Sequence, residues 1–246
     1  MLLVLCAFLC EYTDSTLGMG YGTTLTPLLM IMGFEPLQIV PVVLVSELVT
    51  GIMAGVAHHR EGNIDFGDLA NQRLAIIFGL CGVIGSVLAV LAAFKLPAFW
   101  LKFYIGSLVT LLGIFMFVMR NRVLQFSWFR VCAVGLLASF NKGLSGGGYG
   151  PLVCSGQILS GVKAKTAVAT TLVAESVVCL VGVLTYLFLD HKAVDWSLLP
   201  WILLGAILSV PLSAKTVKWV PDRGFRLAVA LATFVLGLIC LSQVIG

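Results

Sequence analysis

The chain has 246 residues, 60% of them apolar and 11% charged, against roughly 25% charged in an ordinary soluble domain. That composition describes an integral membrane protein, and the longest polar stretch, 58–73, is too short to hide a soluble domain. The formal net charge of +4 gives no reason to expect a nucleic-acid partner, because no basic patch is interleaved with aromatic residues.

In chain order, residues 1–32 form a first apolar stretch. It opens MLLVLC, without a basic leader or a small-residue cleavage site, and reads as structure and not as a removed signal. The motif LGMGYGTTLTP (17–27) interrupts it. Uninterrupted apolar runs follow at 38–57, 74–94 and 99–119, near the roughly 20 residues a spanning helix needs. A second interrupted stretch, 128–160, contains LSGGGYGPLVCSG (144–156), and runs at 166–189, 198–213 and 225–245 complete the chain.

The two interrupted stretches are copies. Residues 14–47 align on 142–175 at a constant offset of 128 with nine identities in 34 positions, among them Gly18, Gly20, Tyr21, Gly22 and Glu47 against Gly146, Gly148, Tyr149, Gly150 and Glu175. Asp65 matches Asp195, Leu96-Pro97 matches Val220-Pro221, Lys102 matches Arg226 and Leu112-Gly113 matches Leu236-Gly237, with small shifts of offset. The predicted fold class is therefore an all-α membrane protein of two homologous repeats, 1–120 and 128–246, each with one glycine-broken helical hairpin and three membrane helices. If each broken segment enters and returns, eleven basic residues (Arg60, Arg73, Arg120, Arg122, Arg130, Lys163, Lys165, Lys215, Lys218, Arg223, Arg226) share one side and three (Lys95, Lys102, Lys192) the other. Cytoplasmic loops carry such an excess, so the count favours inverted halves.

Consecutive glycines within a bilayer require a reason, because lipid cannot satisfy exposed backbone groups. Glycine permits positive φ and close approach, while Pro27 and Pro151 disfavour a continuous helix. A broken helix presents unpaired N–H groups and the positive end of its dipole, which attract anions. Lys142 lies outside the basic clusters, just ahead of the second turn, and an intramembrane cation is a functional candidate. Its repeat counterpart is Asp14, so the two either pair or divide the work. The expected substrate-binding group is Lys142, Ser145, Gly146, Gly147, Gly148, Tyr149, Gly20, Tyr21 and Thr23. Gln157, Thr24, Thr26 and Ser155 add polar groups to the same turns.

Glu47 and Glu175 stand in apolar helices, Glu47 on a face with Thr50 and Gly51, Glu175 with Thr171 and Cys179. Each can carry a proton or hold the broken backbone of its neighbouring hairpin; with Asp14 they form the expected coupling group. The seven cysteines read as small buried hydrophobes, and the sequence calls for no cofactor. His58 and His59, beside Arg60 and Glu61, are expected in a solvated loop without metal-ligand spacing, as is His191.

The paired glycine turns, GMGYGTTLTPLLMIMGFEPLQIV with Ser46-Glu47 and KGLSGGGYGPLVCSGQILSGVKAKTAV with Ala174-Glu175, together with the EGNIDF loop, resemble the sulfite exporter TauE/SafE family over essentially the whole chain. The resemblance implies a cell-membrane, multi-pass transporter of sulfite, organosulfonates or related organic acids. It places function at Gly18, Gly20, Gly22, Gly146, Gly147, Gly148, Gly150, Glu47 and Glu175. Asp14 and Lys142 depart from the family pattern. An alternating-access secondary transporter of small anions, coupled to protons or sodium, is the reading these features give, with the anion and the lipid bilayer as partners. Its rivals are weaker. GYG at 20–22 and 148–150 resembles a potassium-channel filter, but a filter needs four equivalent loops. An enzyme would need a catalytic set, and neither a Ser/His/Asp nor an HExxH arrangement is present.

Overall fold

The computed structural model describes residues 1–18, 20–64, 67–119, 127–160, 162, 164–216 and 222–245. Among them there are ten helices and no strand: α1 (Leu2–Leu17), α2 (Tyr21–Ile31), α3 (Pro36–Arg60), α4 (Leu69–Lys95), α5 (Ala98–Met119), α6 (Trp128–Ser145), α7 (Tyr149–Leu159), α8 (Ala164–Leu189), α9 (Leu199–Thr216) and α10 (Asp222–Ile245). Among the described residues, five stretches are long and apolar enough to cross a membrane: Pro36–Arg60, Gln72–Lys95, Ala98–Val118, Lys165–Leu189 and Leu199–Thr216. The boundary expected near 120–128 falls mostly on residues 120–126, outside the described ones, as do Asp65, Arg120, Arg122, Lys163, Lys218 and Val220-Pro221.

Both predicted breaks are present. Gly18 and Gly146 end α1 and α6 in the left-handed conformation (φ 68° and 72°), and Gly20 and Gly148 precede α2 and α7 at φ 134° and 85°. A side chain is strained at each of these positions. The prolines do not make the break. Pro27 lies inside α2, and Pro151 lies in the first turn of α7, where its missing N–H costs little.

Close contacts at glycine fix the helix directions. Gly51 of α3 lies against Leu172 and Ser176, and Gly182 of α8 against Leu44, so α3 and α8 run antiparallel. Gly106 meets Leu241 and Gly113 meets Phe234, so α5 and α10 also run antiparallel. In contrast, α4 is parallel to α6, through Gly135 on Phe78 and Gly143 on Ala89. Likewise α1 is parallel to α9, through Gly205 on Val4 and Tyr12 bonded to Thr216. Because α9 reverses α8, α1 points the same way as α3. The short α2 between them must therefore return, which makes α1 and α2 a hairpin with the glycines at its tip.

Outward faces are apolar. Ile76, Leu80, Ile84 and Leu88 form a stripe at helical spacing on α4, and Trp201, Leu204, Leu208 and Leu212 one on α9. Contiguous exposed apolar surface of this kind suits lipid. The polar residues turn inward to the breaks. His58 is a correction to the sequence reading: α3 continues to Arg60, so His58 and His59 are helical, and His58 is buried, not solvated. The basic last turn of α3 suits the negative end of its dipole, which a reading by charge alone mistakes for a loop.

Candidate functional site

The two helix breaks touch. A Cβ on Gly22 would overlap the Gly146 carbonyl, and one on Gly147 would lie 2.7 Å from Thr23 N. Only glycine lets these backbones approach so closely. The Gly148 N–H donates to Thr23 Oγ1 at 3.0 Å, tying the second turn to the first. Within the second turn, Ser145 Oγ accepts from the Gly147 N–H at 3.2 Å and donates to the Asn141 carbonyl at 2.7 Å. Gly20 accepts from Thr24 Oγ1. Each of the nine residues expected to bind substrate is buried at this junction.

Lys142, in the last turn of α6, is fully buried. It does not pair with Asp14, the partner that the repeat alignment suggests. Its ammonium is ion-paired with Glu47 of α3, and with Glu175 of α8 at 2.7 Å. The physical reason is packing: α6 ends where the antiparallel pair α3 and α8 cross, so the lysine meets both family-matching glutamates at once. Asp14 instead lies against the backbone N–H of Tyr21, at the start of α2.

Glu47 also accepts from the Gly22 N–H at 3.3 Å and has the Cys179 thiol 3.9 Å away. It thus holds both the lysine and the broken backbone of its own hairpin. Glu175 uses one oxygen on Lys142, and its Oε2 is buried without a partner among the described residues. The tyrosines differ in the same way. Tyr21 OH bonds Ser46 Oγ at 2.7 Å, whereas the buried Tyr149 OH has no partner among the described residues, where Ala174 stands in place of its counterpart Ser46.

Sequence reasoning missed Glu11. It is buried on α1, accepting from Ser15 Oγ at 2.6 Å and Thr50 Oγ1 at 3.1 Å. The signal was available: Glu11, Asp14 and Ser15 are spaced three and four apart, on one face of an apolar helix. Gln157 is occupied elsewhere, with Thr171 at 2.9 Å and Thr170 at 2.7 Å. His58 Nε2 donates to the Ser15 carbonyl at 2.9 Å, and Asn63 donates to its Nδ1 at 3.1 Å. Among the described residues no group of three or more His, Cys, Asp or Glu side chains could hold a metal ion.

A charged group sealed between broken helices, in a protein with several spanning helices, is the arrangement of a multi-pass membrane transporter. The chain belongs to the sulfite exporter TauE/SafE family, whose model matches residues 3–239. It is 27% identical over 222 residues to the Probable membrane transporter protein YtnM of Bacillus subtilis (strain 168), covering 85% of this chain and 72% of that one. It is 23% identical over 252 residues to the Probable membrane transporter protein YdhB of the same organism, covering 98% of this chain and 100% of that one. No solved structure matches.

Proposed function

We propose that the protein is a secondary transporter of small anions (sulfite, organosulfonates or related organic acids), working by alternating access with proton or sodium coupling. The observation that carries this is Lys142, a buried cation at the meeting point of the two breaks, held by Glu47 and Glu175. An anion reaches the ammonium only by displacing a carboxylate, so the positions of Glu47, Glu175 and Asp14 decide when the lysine is available. The remaining substrate contacts are Ser145, the backbone at Gly146, Gly147, Gly148 and Gly20, and the side chains of Tyr149, Tyr21 and Thr23, all at the same junction.

The two repeats, 1–120 and 128–246, are inverted in this reading. The antiparallel courses of α3 against α8 and of α5 against α10 support it, since those are the helices that correspond between halves. Thiols introduced at positions 62 and 193 then label from opposite sides of the membrane; labelling from one side refutes the inversion. Substrate class is tested by thermal shift with sulfite, sulfate, sulfoacetate, taurine, lactate and oxalate, with and without sodium at two pH values. Stabilisation by a subset of these anions is the expected result, and none by any of them removes the anion reading.

A further inference from the structure

The buried charges do not balance. Glu11, Asp14, Glu47 and Glu175 are all buried, with Lys142 the one buried ammonium among the described residues. Fully ionised, the group has a formal charge of −3, which low-dielectric surroundings make costly. The surroundings of the individual oxygens distinguish where a neutralising proton fits.

Glu47 faces donors: the Lys142 ammonium, the Gly22 N–H and the Cys179 thiol. A proton on Glu47 would point at groups that already bring hydrogen, so this carboxylate is built to stay charged. Glu11 is different. Thr50 Oγ1 lies 3.1 Å from Glu11 Oε2 and equally 3.1 Å from the Ser46 carbonyl. When Glu11 is ionised, the Thr50 hydroxyl donates to it. When Glu11 is protonated, Oε2–H donates to Thr50 Oγ1 and the threonine hydrogen turns to the Ser46 carbonyl. Ser15 donates to Oε1 in both states. The exchange adds one proton from the aqueous phase and moves no heavy atom.

The second half lacks this device. At the offset of 128, Glu11, Ser15, Ser46 and Thr50 correspond to Ser139, Gly143, Ala174 and Val178. His58, by contrast, has a structural counterpart: Tyr186 OH donates to the Gly143 carbonyl at 3.0 Å as His58 donates to Ser15. The titratable addition to the first half is therefore Glu11. Among the described residues, Glu175 Oε2 is buried without a hydrogen-bond partner.

We infer that Glu11 is the proton-loading residue of the transporter, its ionised and protonated forms both satisfied by the Thr50 hydroxyl while Glu47 keeps its charge on Lys142. The inference rests on the transport reading above. The groups facing Glu11 are Asp14 on its own helix, Tyr21 of α2, and Glu47 and Thr50 of α3. Beyond Glu47 stand Lys142 of α6 and Glu175 of α8. The one charged residue of α9 is the exposed Lys215, and α10 turns its Cys240 thiol to the Pro27 carbonyl.

Infrared difference spectra of the purified protein across a pH titration test the assignment directly. Protonated-carboxyl carbonyl absorption is expected in the wild type, one component of it lost in Glu11→Gln and retained in Glu47→Gln. Thr50→Ser keeps that component at its original midpoint and Thr50→Val displaces it, a split that a purely structural role for Thr50 does not produce. In proteoliposomes, Glu11→Gln loses the response of sulfite uptake to an imposed pH gradient. Absorption of full amplitude in Glu11→Gln, or disappearance of that component in Glu47→Gln, overturns the inference whether or not any anion is carried. Wild-type protein that carries no anion overturns the transport reading and leaves the infrared result standing.

Discussion

Replacing Lys142 with methionine tests the centre of the site. The methionine keeps most of the side-chain volume but strands two carboxylates whose side chains are 4% and 6% exposed. Removing one partner of a buried ion pair costs about 3–5 kcal/mol. In a chain of this size each kcal/mol moves Tm by roughly 2–4 °C, so Lys142→Met should melt roughly 6–20 °C below wild type in detergent, followed by tryptophan fluorescence. Glu47→Gln together with Glu175→Gln in the same background removes the stranded charges and should recover most of that loss, because a buried pair replaced whole is often neutral. The three substitutions are therefore strongly non-additive. Both variants should lose the proposed anion transport. Lys142→Met melting within about 2 °C of wild type, or a triple variant less stable than the single one, refutes the buried ion group as described.

Three further outcomes follow from the same geometry. Gly22→Ala drives a methyl into the Gly146 carbonyl and should lower stability by at least the roughly 1–3 kcal/mol of overpacking, whereas Gly62→Ala, with nothing within 4 Å, meets only the strain of its positive φ. Ala174→Ser supplies Tyr149 with the partner that Ser46 gives Tyr21, and should raise Tm, while Ser46→Ala strands Tyr21 and costs about 1–3 kcal/mol. Asp195, in the loop before α9, accepts hydrogen bonds from the Ser197 hydroxyl and N–H and the Leu198 N–H. Those bonds hold its pKa below the ordinary 3.8. Its contribution is thus present above the unfolded value and lost as pH falls through the lower native one; the Tm gap between wild type and Asp195→Asn should be constant near neutrality and close in acid.

The helix breaks were legible because the demand is local: positive φ at Gly18, Gly20, Gly146 and Gly148 leaves little choice of residue. Lys142, Glu47 and Glu175 were legible because a charge in an apolar segment is conspicuous. What joins them was not. Repeat alignment pairs Lys142 with Asp14, but symmetry-related positions need not touch, and contact is decided by α6 ending where α3 crosses α8. Glu11 escaped because it lies before the aligned region and its counterpart is Ser139, so the repeat gave it no emphasis. His58 was misread because a basic run at a helix end has the composition of a loop.

Duplication explains both what the halves share and why they differ. The shared parts make backbone structure: the glycine turns, the paired glutamates, and the donor from α3 or α8 to a carbonyl of the broken helix, histidine in one half and tyrosine in the other. At the site, the differences concern charge or an open hydrogen bond. The first half gathers Glu11, Asp14, Ser46 and Thr50, with both oxygens of Glu11 and the hydroxyl of Tyr21 satisfied. The second contributes the lysine and leaves Tyr149 OH and Glu175 Oε2 open. A structural scaffold alone has no need of that division, since two identical halves would pack equally well. A transporter of the proposed kind has one: a cation to hold an anion, and on the facing half a carboxyl that can change its charge.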